Sequence, residues 1–218
     1  MRRAATALAL FALGGPSALA DAPDLPAVAP GTSIFWVTNF DGDTDQYRER
    51  VHKVGSDWIL FQSLFEDTYY EDDEALPGQD YFLIFSGIEF YDCSEDKFPS
   101  SEEREAMAGL FPLETGTSIT LGEGEMLRTM MVGEATPFFL MGDDRSAHDL
   151  LIEYADDSLS EDLTILDDPA MTVGITWDES SKDRVLAINS TANTPLPELT
   201  EQDLGFCAGF LADEEDNQ

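Results

Sequence analysis

The chain has few of the residues that usually build a catalytic or metal centre. Two cysteines and two histidines among 218 residues exclude a cysteine-rich scaffold, a four-cysteine zinc site and any centre that needs three imidazoles. Basic residues are scarce as well: 11 Lys and Arg stand against 45 Asp and Glu, a formal charge of -34. That imbalance repels polyphosphates and anionic lipid surfaces, so nucleic acid is not expected as a partner. No G-x-S-x-G elbow, no H-E-x-x-H pair and no phosphate-binding glycine loop occurs. No uncharged apolar run approaches the roughly 20 residues of a membrane helix, so membrane insertion is not expected. What the chain does have is core material, 43% hydrophobic and 11% aromatic, in a length that suits one domain.

The first residues carry an address. Arg2 and Arg3 precede an apolar stretch from Ala4 to Gly14, and Ala18-Leu19-Ala20 ends in small residues before Asp21. This pattern predicts a signal peptide over 1–20 and a secreted or periplasmic protein. Cleavage after Ala20 removes two arginines, leaving nine bases against 45 acids and a charge of -36. In an oxidising compartment the pair Cys93 and Cys207 is expected to form a disulfide. Its role should be structural, because no C-x-x-C spacing supplies a resolving thiol. Pro23, Pro26 and Pro30 mark an extended leader over 21–31, followed by a single β-rich domain over 32–212 and an acidic tail over 213–218.

Within the domain the periodicity is that of strands. Aromatic and branched residues predict strands at 33–39, 47–54, 57–65, 81–93, 117–121, 126–132, 137–141, 148–154, 163–166, 171–177 and 184–189. Met171, Val173, Ile175 and Trp177 alternate with Thr172, Gly174, Thr176 and Asp178, the pattern of a half-buried strand. Ser100 and Glu103 form a capping box for a short helix that Gly109 and Pro112 end. Thr200 opens a second helix over 201–211, which carries Cys207. The reading is an all-β fold, mainly antiparallel, as a barrel-like meander or a sandwich with two short helices. The short connections favour the barrel.

Leu110-Phe111-Pro112-Leu113-Glu114-Thr115-Gly116 leads into the strand at 117–121. This resembles a strand-entry motif of uncharacterised bacterial exported β-rich domains, an aromatic, Pro and Leu with Gly three residues on. The likeness covers about a dozen residues and implies the same fold class and export. Ser118 and Ile119 stand where that motif more usually has an aromatic strand start, and it transfers no catalytic residue.

Three local patterns are candidate sites. Asp41-Gly42-Asp43-Thr44-Asp45 puts carboxylates at alternate positions that can converge on one calcium ion. Gln46 and His52 stand where an EF-hand has Gly and Glu, and the simpler reading is an Asp-Gly hairpin turn. Glu66, Asp67, Glu71, Asp72, Asp73, Glu74 and Asp80, with Tyr69 and Tyr70 among them, either meet a cationic protein or form a solvated loop. The acids also spread over the whole chain, as on a salt-adapted surface. Arg48, Arg50 and His52 fall on one face of a strand, where they can hold a carboxylate or phosphate ligand or pair with neighbouring acids.

Trp36, Trp58, Phe85 and Trp177 are expected to line the core or a cavity. Asn189-Ser190-Thr191 is a glycosylation sequon. His148-Asp149 can orient an imidazole but has no matching nucleophile, and a strand position explains His148 equally well. The leading expectation is a non-enzymatic exported domain that binds a small ligand or a partner, or accompanies an envelope assembly. A calcium-dependent binding module and a small secreted hydrolase using two carboxylates are its rivals.

Overall fold

The computed structural model describes residues 28–64, 77–155, 160–167, 170–177, 181–189 and 195–216. The predicted signal peptide, most of the leader, the acids from Glu66 to Glu74, and Ser190 and Thr191 of the sequon lie outside these residues.

Eleven strands form one antiparallel sheet. In chain order they are β1 Ser33–Phe40, β2 Asp43–Val54, β3 Trp58–Leu64, β4 Tyr81–Phe85, β5 Glu89–Asp92, β6 Ser118–Leu121, β7 Arg128–Leu140, β8 Asp143–Tyr154, β9 Ser160–Asp167, β10 Ala170–Thr176 and β11 Ser181–Asn189. Helix α1 spans Ser101–Ala108, α2 Glu201–Leu204 and α3 Cys207–Asp216. The sheet order is β5-β4-β3-β2-β1-β11-β10-β9-β8-β7-β6. The chain therefore builds one half outward from β1, crosses through α1 to the far edge, and meanders back until β11 pairs with β1. No helix among the described residues is long and apolar enough to cross a membrane.

Turn chemistry fixes the hairpins. Asp41 and Gly42 both have positive φ, 50° and 92°, and join Phe40 to its partner Asp43. A two-residue turn with both φ values positive matches the twist of the strands it connects, and Asp-Gly is its preferred sequence. The segment expected as one strand over 81–93 is instead a hairpin. Ser86 and Gly87 take φ of 51° and 69°, and the Ile88 amide donates to the Phe85 carbonyl at 2.9 Å, which splits the run into β4 and β5. The reverse error occurs at 126–141, where two predicted strands are one, β7, with a register shift between Val132 and Ala135.

The barrel expectation needs correction. The edge strands β5 and β6 share no ladder, so backbone pairing does not close the sheet. Side chains bridge the gap instead. Arg128 at the start of β7 forms an ion pair with Glu89 of β5; its Nη2 donates to Glu89 Oε2 at 2.6 Å and to the Tyr91 hydroxyl at 3.1 Å, and Nη1 reaches Glu103 of α1 at 3.3 Å. The β4–β5 turn also meets β10, where the Thr172 hydroxyl donates to the Gly87 carbonyl at 2.7 Å. Contacts between such distant positions in the strand order require a sheet that curls back on itself. For the same reason β10, expected to be half-buried, is covered on both sides from Met171 to Ile175.

The C-terminal segment seals one end. Its predicted single helix breaks at Gly205, whose φ of 50° and close approach to the Cys93 and Pro77 carbonyls leave no room for a Cβ. The Phe206 amide then donates to the Cys93 carbonyl at 2.8 Å, beside the Cys93–Cys207 disulfide. The residues expected as an acidic tail continue α3 to Asp216. Glu214 accepts from Arg104 at 2.8 Å and from Trp58 Nε1 at 3.2 Å, and the bond from Arg104 holds its carboxyl below the ordinary range. Arg104 also lies over the rings of Phe85 and Phe210 and pairs with Asp57, joining α1, α3 and the start of β3.

Candidate functional site

Alternation along a strand sends successive side chains to opposite sides. On β2 this divides Thr44, Gln46, Arg48 and Arg50 from Asp43, Asp45, Tyr47 and Glu49. Antiparallel register extends the division across the sheet. Gln46 lies opposite Val37, which lies opposite Arg184, which lies opposite Gly174. In the next rung Thr44, Asn39, Lys182 and Thr176 line up in the same way. Directly opposed residues share a side of the sheet. The outer face of β2, β1, β11 and β10 therefore carries Arg48, Arg50, Lys182 and Arg184, four of the nine bases outside the predicted signal peptide. Every acid on these strands, Asp43, Asp45, Glu49 and Asp183, alternates to the other side.

In a chain with 45 acids this segregation has an electrostatic consequence. Among the described residues none of the four cations forms an ion pair, whereas Lys97, Arg104 and Arg128 all do. Lys182 acts at longer range on Asp162, two strands away on its rung, and Arg50 acts on His52 and Tyr81. Arg184 is exposed, while Arg48 and Arg50 are half-buried with their stems along the sheet.

Part of this face is roofed. Beyond the register shift at Val132, the β7–β8 hairpin bends over the sheet and β7 touches β11. Phe138 on this arm closes a cleft of about 520 Å³ whose floor is the two rungs. Lys182 and Arg184 stand in it beside Asn39, Thr44 and Gln46, with Asp183 between them also on its lining and apolar contact from Val37, Ile175 and Leu186. Gly174, next to Arg184 on the floor, contributes no side chain, and Thr164 packs against it, 3.2 Å from where a Cβ would lie.

The sequence-derived candidates separate on this frame. Arg48 and Arg50 belong to the face, but His52 does not serve as a free ligand-binding group. It occupies a register shift between Val51 and Lys53, is 5% exposed, and spends Nε2 on the Gln62 side chain at 3.1 Å while its ring meets Tyr81 edge-on. Burial lowers its pKa, so it is neutral. Asp41, Asp43 and Asp45 are exposed around the hairpin turn, and among the described residues no three ligating side chains are gathered into a preformed metal site. Trp36, Trp58 and Phe85 are buried as expected, whereas Trp177, just past the end of β10, is 47% exposed. His148 is a β8 strand residue whose Nδ1 lies 3.3 Å from the Gly133 carbonyl. Lys182 and Arg184 were not singled out by sequence, although the alternation in 181–189 already placed them on one side and Asp183 on the other.

The opposite face holds the buried polar groups. Trp36 Nε1 donates to Glu49 Oε2 at 2.8 Å, Tyr47 stacks on Trp36 with centroids 5.9 Å apart, and the Tyr47 hydroxyl points to Asp183 at 3.4 Å. Glu49 is 4% exposed and burial pushes its pKa from 4.5 to about 8. Asp183 lines the cleft and Glu49 does not, so the two carboxylates do not meet in that open site.

The raised value sets a stability slope. The folded state retains a proton that the unfolded chain releases above 4.5, so stability is full at acidic pH and falls as pH rises from about 4.5 to about 8. The loss is at most about 1.4 kcal/mol per pH unit. Glu49→Gln should flatten this slope and stabilise the domain at pH 8 by roughly 2–4 kcal/mol. Urea midpoints across that range measure it, and an unchanged slope in the variant would assign the pH dependence elsewhere.

The chain matches no known protein-family model, and no curated protein is significantly similar to it.

Proposed function

We propose that this is a non-enzymatic exported binding domain that recognises anionic groups through the outer face of β2, β1, β11 and β10. One observation carries the reading: four cations without ion pairs among the described residues share a face of β2, β1, β11 and β10 from which the register turns the acids of those four strands away. In a strongly acidic chain counter-charges are abundant, 45 acids against 11 bases. A face on which Arg48, Arg50, Lys182 and Arg184 form no ion pair among the described residues offers their charge to something outside the chain. Guanidinium groups supply forked donors suited to carboxylate and phosphate oxygens. The disulfide and the signal-like N-terminal pattern support action in an oxidising compartment outside the cytoplasm.

The test is an NMR titration of the labelled domain with acetate, phosphate, citrate and polyglutamate at constant ionic strength. The reading expects shifts centred on the amides of β2 and β11 and on the arginine side chains. The variant Arg48→Gln/Arg50→Gln/Lys182→Gln/Arg184→Gln should lose them while keeping its folded spectrum. Shifts confined to other surfaces, or unchanged in that variant, would refute it.

A further inference from the structure

Resting on that reading, we infer that the ligand is a small amphipathic organic acid, seated under the β7–β8 arm with its carboxylate on Arg184 and Lys182 and its apolar part against Phe138. Two features of the cleft converge on this class. Its volume of about 520 Å³ falls within the usual range for small-molecule sites. Its walls are mixed, with Val37, Phe138, Ile175 and Leu186 offering apolar surface next to two cations, the single acid Asp183 and a row of hydroxyl and amide groups. A purely inorganic anion would leave that apolar surface unused, and a neutral apolar molecule would bury the cations without a partner.

Net charge decides between a small acid and a polymer. A polyanion laid across the face would bring many charges within a Debye length of a chain carrying -34, about 8 Å at physiological salt. A single carboxylate feels that repulsion once, while its contacts to Arg184 and Lys182 are short and shielded by the arm. Arg48 and Arg50 lie outside the cleft lining and act as rim charges that shape the local field.

Calorimetry and NMR with phenylacetate, phenylacetamide, acetate and polyglutamate test this assignment. Phenylacetate should bind the cleft, and its neutral amide and acetate should bind about tenfold more weakly or worse. Arg184→Gln should weaken phenylacetate by about tenfold or more, as expected for a lost charge-assisted hydrogen bond. Arg48→Gln, at the rim of the same face, should weaken it less than Arg184→Gln does, and Lys97→Gln, away from the face, should change it less than about twofold. Gly174→Leu should block the site. Because its Cβ would lie 3.2 Å from Thr164, Phe138→Ala serves as a second cleft variant, which should weaken phenylacetate while leaving acetate unchanged. If polyglutamate binds best, or Arg48→Gln and Arg184→Gln weaken binding equally, the small-acid assignment falls and the anion-binding face stands. If no anionic probe perturbs the face, both fall.

Discussion

Removing the Cys93–Cys207 bond is expected to cost the folded domain about 5 kcal/mol, because the crosslink closes a loop of 114 residues in the unfolded chain. Such a loss is comparable to the total stability of many domains. The bond also fixes the position of α3. Gly205 is seated against the Cys93 carbonyl, the Phe206 amide donates to that carbonyl, and Glu214 at the other end of α3 holds Arg104. With the bond cut these contacts remain but must form without the tether. Cys93→Ala/Cys207→Ala should lower the urea midpoint strongly while keeping a single transition. A shift equivalent to less than about 1 kcal/mol would mean that packing alone holds α3 and that the crosslink is incidental.

The second large effect lies at the seam between the sheet edges. Arg128 and Glu89 are 3% and 8% exposed in their side chains, and Arg128 also donates to the Tyr91 hydroxyl, Glu103 and the Met126 carbonyl. Glu89→Ala leaves the guanidinium buried with half its partners and should cost about 3–5 kcal/mol. Replacing both partners, as Arg128→Met/Glu89→Leu, removes the charges together and should recover most of that loss, because two apolar side chains carry no desolvation debt. Thermal melts of the single and double variants measure the difference. A double variant as unstable as Glu89→Ala would show that the pair does more than satisfy itself, for instance by setting how far the sheet curls.

Local chemistry made much of the fold legible. Branched and aromatic runs announced nearly every strand, Asp41-Gly42 announced a hairpin, and Ser100 with Glu103 announced the cap of α1, where both reciprocal hydrogen bonds form. What could not be read depends on distant contacts. Nothing in the run Phe85-Ser86-Gly87-Ile88 distinguishes a continuous strand from a turn, since apolar residues continue on both sides and Ser86 rarely adopts positive φ. The break at Gly205 depends on the carbonyls of Cys93 and Pro77, far away in sequence.

The candidate site was legible only in part, for the same reason. The alternation on β2 exposed Arg48 and Arg50 as a one-sided pair, but their neighbours Lys182 and Arg184 arrive through the β1–β11 ladder, between strands at opposite ends of the domain. His52 was assigned to that face by alternation that the register shift after Val51 interrupts, and Trp177 was counted with a strand that ends one residue earlier.

The central claim is that the register of β11 on β1 assembles a cation-bearing face that binds an anion. The most direct measurement is a set of intermolecular nuclear Overhauser effects between bound phenylacetate and the side chains of the domain. The account predicts contacts from the aromatic ring to Phe138 and Val37, with the Arg184 Nε resonance shifting on binding. Contacts to the α2–α3 surface, with the Arg184 and Lys182 resonances unmoved at saturation, would contradict it.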